Sequence, residues 1–300
     1  MQLFRRIVTW LGIMAVLTMV AMGVWLVVLD GSQTTEGLKW LQFLQTVGTF
    51  LLPPIACAWL WEEEHMPFRW LKMDKGANWQ VFLTAIGIMV CAIPGINLLA
   101  DLNSRLVLPE WLGSIEQILK QQEEAAAVLT ERFLQADSIG GLLINIGLMA
   151  LLPAIAEEFS FRGTLQQVLW EGNGNKVQRT KVNLAIWITA FVFSAIHMQF
   201  YGFVPRMLMG AMFGYVFLWT GSLWVPVAMH FMNNCMAVVS YYLSGEIGVN
   251  GKNYADTIGA GTTWWLGVLS LAAVGGLLWL IHRIVTCPDQ QGYGRRTHIQ

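Results

Sequence analysis

The chain has 300 residues, of which 55% are hydrophobic and only 12% are charged. Soluble domains carry about 25% charged residues, so this composition excludes an ordinary soluble enzyme and indicates a membrane protein with several spanning helices. The net charge of −1 excludes the strongly basic surface that nucleic-acid-binding proteins need, and we expect no nucleic-acid partner.

Apolar segments of about 20 residues predict an all-α polytopic membrane bundle with about eight transmembrane helices. The predicted spans are residues 7–29, 40–60, 79–100, 138–158, 182–200, 205–220, 223–243 and 264–285. The first span is too long for the apolar region of a signal peptide, and no small-x-small cleavage site follows it. We therefore interpret it as a membrane anchor, and we expect the lipid bilayer to be a partner of the whole bundle.

Several residues inside the spans predict local features of the helices. The small-xxx-small pair Gly210 and Gly214 predicts close backbone packing of the sixth span. The stretch 138–170 is too long to do no more than cross a bilayer, so we expect it to project beyond the membrane. Prolines should kink or interrupt their helices at Pro53, Pro54, Pro94 and Pro153.

The distribution of positive charge predicts the orientation. With the N-terminus placed inside, most of the Lys and Arg residues fall on that same side, in the segments 5–6, 69–75, 176–181 and 283–296. This bias predicts an integral, multi-pass protein of the cell (inner) membrane with both termini cytoplasmic.

The longest polar segment between spans contains an amphipathic pattern. Residues 114–135 are rich in helix formers, and their apolar side chains recur at helical spacing, which predicts a helix on the non-cytoplasmic membrane surface. A structured connector is the favoured interpretation of this helix, and a lid or a partner-docking element is the alternative. We divide the chain into N-terminal membrane helices with this surface helix (1–137), a catalytic helical core (138–245), and a last span with a polar tail (246–300).

Three polar motifs interrupt consecutive apolar segments. They are Glu157-Glu158 with Arg162, Phe193 with His197, and His230 with Asn234. Ionisable groups at membrane depth are costly and mark functional sites. In each motif residues four apart share one helical face, whereas the two adjacent carboxylates are rotated by about 100° and can have different partners.

The positions of these groups along their spans predict one polar cavity within the membrane. Glu157 and His197 lie at similar distances from the basic loop 171–181, so an antiparallel hairpin would bring them level. His230 enters the seventh span from the same side, and it reaches the same depth if the hairpin projects beyond the bilayer.

The residue types in this cavity suit hydrolysis. A carboxylate and an imidazole can hold and deprotonate water, and a second imidazole with a carboxamide can stabilise an oxyanion. Each motif also has a purely structural interpretation. The Glu158–Arg162 pair could lock helices together, and His197, His230 and Asn234 could be interior hydrogen-bonding residues. Their coincidence in three consecutive spans favours function.

The order Glu-Glu-x-x-x-Arg, Phe-x-x-x-His, His-x-x-x-Asn resembles the CAAX protease and bacteriocin-processing (CPBP) family of intramembrane glutamic endopeptidases. Phe161-Arg162-Gly163 and the lead-in Gly221 to Trp224 before His230 add to the resemblance, which covers residues 150–235. The three motifs are specific only when they are taken jointly.

The resemblance implies a role for each motif residue and no cofactor. Glu157 and His197 would activate water, and His230 and Asn234 would stabilise the oxyanion. Glu158 and Arg162 would orient Glu157 and tie helices together, and Phe193 would pack beneath the site. The family mechanism needs no metal, although Glu157, His197 and His230 could form a three-ligand site.

We therefore predict a metal-independent intramembrane endopeptidase whose partner is a membrane-associated or lipid-anchored peptide, as in CAAX prenyl proteases. Bacteriocin self-immunity is another activity found in the family. The competing classes are a proton-coupled membrane transporter, since intramembrane Glu, His and Arg also build proton relays, and a non-catalytic membrane scaffold. No duplicated broken-helix pattern of the transporter kind is present.

Overall fold

The computed structural model describes residues 2–62, 64–171, 179–244 and 258–286, and these are helical and contain no strand. The predicted polar tail and most of the basic loop 171–181 lie outside the described residues. The helices are α1 Gln2–Val28, α2 Thr35–Trp61, α3 Pro67–Trp70, α4 Trp79–Ser104, α5 Gly113–Leu134, α6 Ile139–Trp170, α7 Arg179–Ala195, α8 Phe203–Thr220, α9 Trp224–Ser244 and α10 Trp264–Thr286.

Six of the described helices are long and apolar enough to cross a membrane, namely α1, α2, α4, α6, α8 and α10. This confirms the all-α polytopic membrane class. The two remaining predicted spans correspond to α7, which has 17 residues, and to α9, whose apolar sequence is interrupted by His230, Asn233 and Asn234. The count of eight therefore stays a prediction.

Helix α9 lies at the centre of the packing around the site. It contacts α4, α6 and α8, while α10 packs along α4 and α7 packs along α8. The side chains of Phe213 and Met229 are buried where α8 and α9 meet α4 and α10. The helices α1 and α2 pack together on the other side of α6. Because α6, α7, α8 and α9 converge, polar groups on each of them can reach one another.

The prolines are accommodated without ending their helices. In α2 a π-helical turn, Thr46–Leu51, precedes Pro53 and Pro54, and in α6 another, Ile146–Leu151, precedes Pro153. Proline lacks an N–H and clashes with the carbonyl one turn back, and the wider π turn relieves both conflicts. The expected disturbance is present, and it takes the form of a π turn inside a continuous helix.

Pro94 is accommodated by a side chain of α10. The Gly95 N–H donates to Oγ of Ser270 over 2.9 Å, and the Ser270 hydroxyl donates in turn to the Cys91 carbonyl. The hydroxyl thus bridges the Gly95 N–H and the Cys91 carbonyl of the helix backbone directly after the proline. Both groups are satisfied at a depth where lipid offers no hydrogen-bond partner.

The amphipathic segment forms the predicted helix, α5. A carboxylate oxygen of Glu123 accepts a hydrogen bond from the Tyr201 N–H over 3.2 Å, and Arg132 donates to the Gln33 carbonyl over 3.1 Å. Phe133 is buried at the C-terminal end. These contacts attach α5 to the rest of the bundle along its length, and its role as a structured connector stays a prediction.

The small-xxx-small prediction is confirmed at the junction of α6, α7 and α8. A Cβ atom added at Gly214 would lie 2.7 Å from Oε1 of Gln166 and 2.9 Å from Cγ2 of Ile186. The Gln166 amide donates to the Gly214 carbonyl over 3.1 Å, and Arg162 donates to the Gly210 carbonyl over 2.9 Å. The two glycines therefore admit two polar side chains from α6 to the backbone of α8.

We predict that Gly214→Ala destabilises the protein by about 1–3 kcal/mol, because overpacking of a tight contact displaces its neighbours. Gly87→Ala in α4 is the matched control, since nothing lies within 4 Å of the added Cβ atom. Thermal unfolding of both variants in detergent measures the difference. Equal melting temperatures would show that the α6–α8 contact is not tight.

Candidate active site

Five of the seven motif residues line one polar cavity between α6, α7, α8 and α9. Its volume is about 100 Å³. The side chains that surround it are those of Glu157, Phe193, His197, Arg206, Met209, Phe213, His230, Asn233 and Asn234. The predicted polar cavity is therefore present, and it gathers residues from all three motifs.

Glu158 is the buried anchor of this site. It is fully buried, as is Arg162, and its Oε1 accepts a hydrogen bond from Arg162 over 2.6 Å. The same oxygen accepts a hydrogen bond from Nδ1 of His230 over 2.9 Å. Sequence reasoning anticipated the partner Arg162 and assigned Glu158 to orienting Glu157, whereas its second hydrogen bond goes to His230 and so joins α6 to α9.

Glu157 points into the cavity instead. Its side chain is 16% exposed, and its Oε2 lies 3.8 Å from Nε2 of His230, which is longer than a hydrogen bond. That oxygen is buried and has no hydrogen-bond partner among the described residues. A buried polar atom without a partner is costly and typical of a functional position, because a substrate group can satisfy it. The two adjacent carboxylates thus have different surroundings, as the helical rotation predicted.

His197 lies just beyond the end of α7. The predicted span extended to residue 200, but the helix ends at Ala195, and Met198 has a φ of 53° in the left-handed region. Nδ1 of His197 lies 2.8 Å from the Phe193 carbonyl oxygen, which can only accept, so Nδ1 carries the proton. In the neutral ring Nε2 is then the acceptor.

Phe193 packs between the ionisable groups. Its ring contacts those of His197 and His230 edge-on, with centroids 5.1 Å and 5.9 Å away. The Arg162 guanidinium lies over the same ring at 4.7 Å from its centroid, as in a cation–π interaction. Phe193 is buried, so its ring both shields the Arg162 guanidinium and holds the two imidazole rings in their orientations.

Asn234 is oriented by its neighbour. Nδ2 of Asn233 donates to Oδ1 of Asn234 over 3.2 Å. With its oxygen engaged, Asn234 presents its amide N–H groups as donors. Asn233 is a site residue that the motif analysis missed, and its position directly beside Asn234 was the signal that could have identified it.

Arg206 and the apolar residues Met209 and Phe213 were also missed, because they lie in the sixth span outside the three motifs.

The alternative from sequence, a metal site formed by Glu157, His197 and His230, finds no support in the geometry. Among the described residues no group of three or more His, Cys, Asp or Glu side chains is arranged to hold a metal ion.

We predict that Glu158→Gln destabilises the protein by about 3–5 kcal/mol, because it leaves the buried charge of Arg162 without a counter-ion. Glu157→Gln, one residue away, is the control, since Oε2 of that side chain has no hydrogen-bond partner among the described residues. Unfolding of both variants in detergent gives the comparison. Similar losses would show that the Glu158–Arg162 pair is not a structural anchor.

Comparison with known proteins finds a similarity in the part of the chain that holds the site. Residues 139–236 match a family model described as Type II CAAX prenyl endopeptidase Rce1-like. The protein YpbD of Bacillus subtilis (strain 168), described as uncharacterized, is 28% identical over 92 residues, which cover 29% of this chain and 41% of YpbD. The matched segment thus spans less than half of the length of that relative. No solved structure matches.

The match to the family model begins at the start of α6 and ends within α9, so it includes every motif residue from Glu157 to Asn234. The resemblance to the CPBP family is therefore confirmed over residues 139–236, the part of this membrane protein that matches the Rce1-like family model.

Proposed function

We propose that this protein is a metal-independent intramembrane endopeptidase that uses water activated by Glu157 and His197 to cleave a membrane-associated or lipid-anchored peptide. The observation that carries the proposal is the shared cavity of about 100 Å³, in which both residues meet His230 and Asn234 inside an apolar bundle. The Rce1-like match over residues 139–236 supports the same class.

Glu157 is the general base of the proposed reaction. Its Oε2 has no hydrogen-bond partner in the part of the chain that the structure describes, and it can accept a proton from water. His197 lies in the electrostatic field of Glu157, and its Nε2 can accept the second hydrogen bond of the same water, since Nδ1 is held by the Phe193 carbonyl. Two acceptors in one small cavity fix the water oxygen with a lone pair free for attack.

The water oxygen forms a bond to the carbonyl carbon of the substrate as its proton passes to Glu157. The electron pair of the C=O bond moves to the carbonyl oxygen, and the Asn234 amide donates to that oxyanion. His230 donates from Nε2 as an imidazolium, because its Nδ1–H is already committed to Glu158.

The C–N bond then breaks, and the departing nitrogen takes the proton held by Glu157. The products are a new carboxyl group and a new amine, and Glu157 returns to its carboxylate form. No side-chain nucleophile takes part, so no covalent bond forms between the enzyme and the substrate.

The substrate reaches such a site from the membrane or its surface. A peptide held at the bilayer by a lipid, such as the prenyl group named in the family description, has its scissile bond near the membrane interface. We place the protein in the cell (inner) membrane with both termini in the cytoplasm, as the charge bias predicts. Residues 138–245 form the catalytic core in this proposal.

We expect Glu157→Gln to lower the rate of peptide cleavage by about 10²–10⁴, the usual contribution of a general base, while the protein stays folded. Glu124→Gln is the matched control, because Glu124 is exposed on α5. Mass spectrometry of peptide termini in membranes from cells with equal amounts of wild type and each variant is the measurement. Termini present with wild type and Glu124→Gln but missing with Glu157→Gln would support the proposal.

Identical sets of termini in all three membranes would contradict it. A proton-dependent flux that disappears with Glu157→Gln would then favour a transporter. Retained cellular function in that variant would favour a non-catalytic scaffold or self-immunity protein.

A further inference from the structure

A second cavity lies between α2 and α6, whereas the catalytic cavity lies between α6, α7, α8 and α9. Its volume is about 510 Å³, within the roughly 300–1,000 Å³ of pockets that take a ligand. None of the residues that line it lines the catalytic cavity. We call it the α2–α6 groove, and its lining residues are Glu36, Lys39, Trp40, Phe43, Ile144 and Leu148.

The lining of the α2–α6 groove changes from charged to apolar along α2. Glu36 and Lys39 lie near the start of the helix, and Trp40 and Phe43 follow at the spacing that puts all four on one face. Phe43 lies about 12 Å further into the bilayer than the first residue of α2. Two apolar residues of α6 form the opposite wall. A phospholipid has the same order of groups, from its charged headgroup to its acyl chains.

The groove opens sideways towards the bilayer. Trp40 is 55% exposed and Ile144 is 57% exposed, although both lie in helices that are apolar enough to cross a membrane. Large apolar side chains exposed on such helices face lipid, and Trp is typical of the interface between headgroups and acyl chains. A lipid can therefore enter the groove directly from the membrane.

The ammonium group of Lys39 is held at the charged end of the groove. Its Nζ donates to Oδ1 of Asn145 over 2.7 Å. Asn145 is buried, and its Nδ2 donates to the Leu134 carbonyl over 2.9 Å. A lysine ammonium has three N–H donors, so two remain for a ligand beside this bond. The position of the positive charge is thus fixed by a buried side chain that is itself hydrogen-bonded.

The two charges at this end of the groove have no close ionic partner in the part of the chain that the structure describes. Lys39 interacts electrostatically with Glu36, but no carboxylate lies within 4.0 Å of its Nζ, and no basic group lies that close to the Glu36 carboxylate. Residues three apart on a helix have Cβ atoms about 5–6 Å apart. A ligand that carries an anion and a cation a short linker apart can pair with both side chains.

This pair of charges discriminates between phospholipid headgroups. The phosphate that all of them carry pairs with Lys39, as lipid headgroups do with basic groups between membrane helices. A primary amine donates charge-assisted hydrogen bonds to a carboxylate such as Glu36, whereas the quaternary ammonium of choline has no N–H to donate. A glycerol headgroup leaves the lipid with a net negative charge, which Glu36 repels.

We propose that the α2–α6 groove binds one phospholipid with a phosphoethanolamine headgroup. Lys39 pairs with the phosphate, Glu36 accepts hydrogen bonds from the amine, and an acyl chain packs against Trp40, Phe43 and Leu148. In the proposed orientation α2 begins on the non-cytoplasmic side, so the lipid belongs to that leaflet. The inference is independent of the proposed peptidase activity, because the groove and the catalytic cavity share no lining residue.

Lipid binding to the full-length protein in detergent tests the proposal. Phosphatidylethanolamine, phosphatidylcholine and phosphatidylglycerol with identical acyl chains are added one at a time, and native mass spectrometry gives the dissociation constant of the first lipid adduct. The ethanolamine lipid should bind on the order of 10–100-fold more tightly than the other two, the worth of a hydrogen bond to a charged group.

Substitutions in the groove separate the two ionic contacts. Glu36→Gln should remove most of the preference for the ethanolamine lipid, and the variant should stay folded because Glu36 is exposed. Lys39→Gln should weaken the binding of all three lipids, because each carries the phosphate. Lys120→Gln on α5 is the matched control, since Lys120 is exposed and pairs with Glu116, and it should keep both the affinity and the preference.

Leu148→Trp, which fills the apolar part of the groove, should weaken the binding of the ethanolamine lipid and so locate it. Equal affinity for the three lipids, or a preference that Glu36→Gln leaves unchanged, would overturn the proposal. Competition by a prenylated peptide that is lost with Leu148→Trp would also overturn it, because the groove would then hold the lipid chain of the substrate. None of these results would contradict the peptidase function.

Discussion

One carboxylate oxygen, Oε1 of Glu158, joins the helices on which the site is built. It accepts hydrogen bonds from Arg162 and from His230, and Arg162 donates onward to the Gly210 carbonyl. Helices α6, α8 and α9 are thereby held by a fully buried charge cluster, in surroundings where an unpaired charge would cost several kcal/mol. The packing of the bundle and the orientation of the His230 ring depend on the same atom, so a change that breaks this link should affect stability and chemistry together.

Glu158 makes the hydrogen bonds that join α6 to its neighbours, so the adjacent carboxylate, Glu157, is available for the proposed reaction. A rotation of about 100° between adjacent helical residues separates Glu158, whose Oε1 is bonded to Arg162 and His230, from Glu157, which lines the cavity. The π turn Phe161–Gln166 follows directly and contains Arg162, and π turns are frequent at functional sites. Phe193 then shields the Arg162 charge and contacts both imidazoles, so one aromatic ring separates the structural ion pair from the reactive groups.

The sequence was sufficient to predict the helical class, the Glu158–Arg162 pair and the common cavity, because these follow from hydrophobic span length and from spacing on a helix. It could not predict that α7 ends before His197, since the turn there depends on local hydrogen bonds and not on the apolar pattern. The partner of Glu158 in α9 and the position of Arg206 arise from contacts between distant segments. Such contacts between distant segments have no periodic signal in the sequence.

The most direct test of the account is whether water attacks the peptide bond without a covalent enzyme intermediate. A substrate peptide is cleaved in water enriched in oxygen-18 and in the presence of hydroxylamine, and the new C-terminus is examined by mass spectrometry. Direct attack by water activated at Glu157 predicts one oxygen-18 atom in the new carboxylate and no hydroxamate. A hydroxamate product would reveal an acyl-enzyme intermediate and would contradict the proposed mechanism.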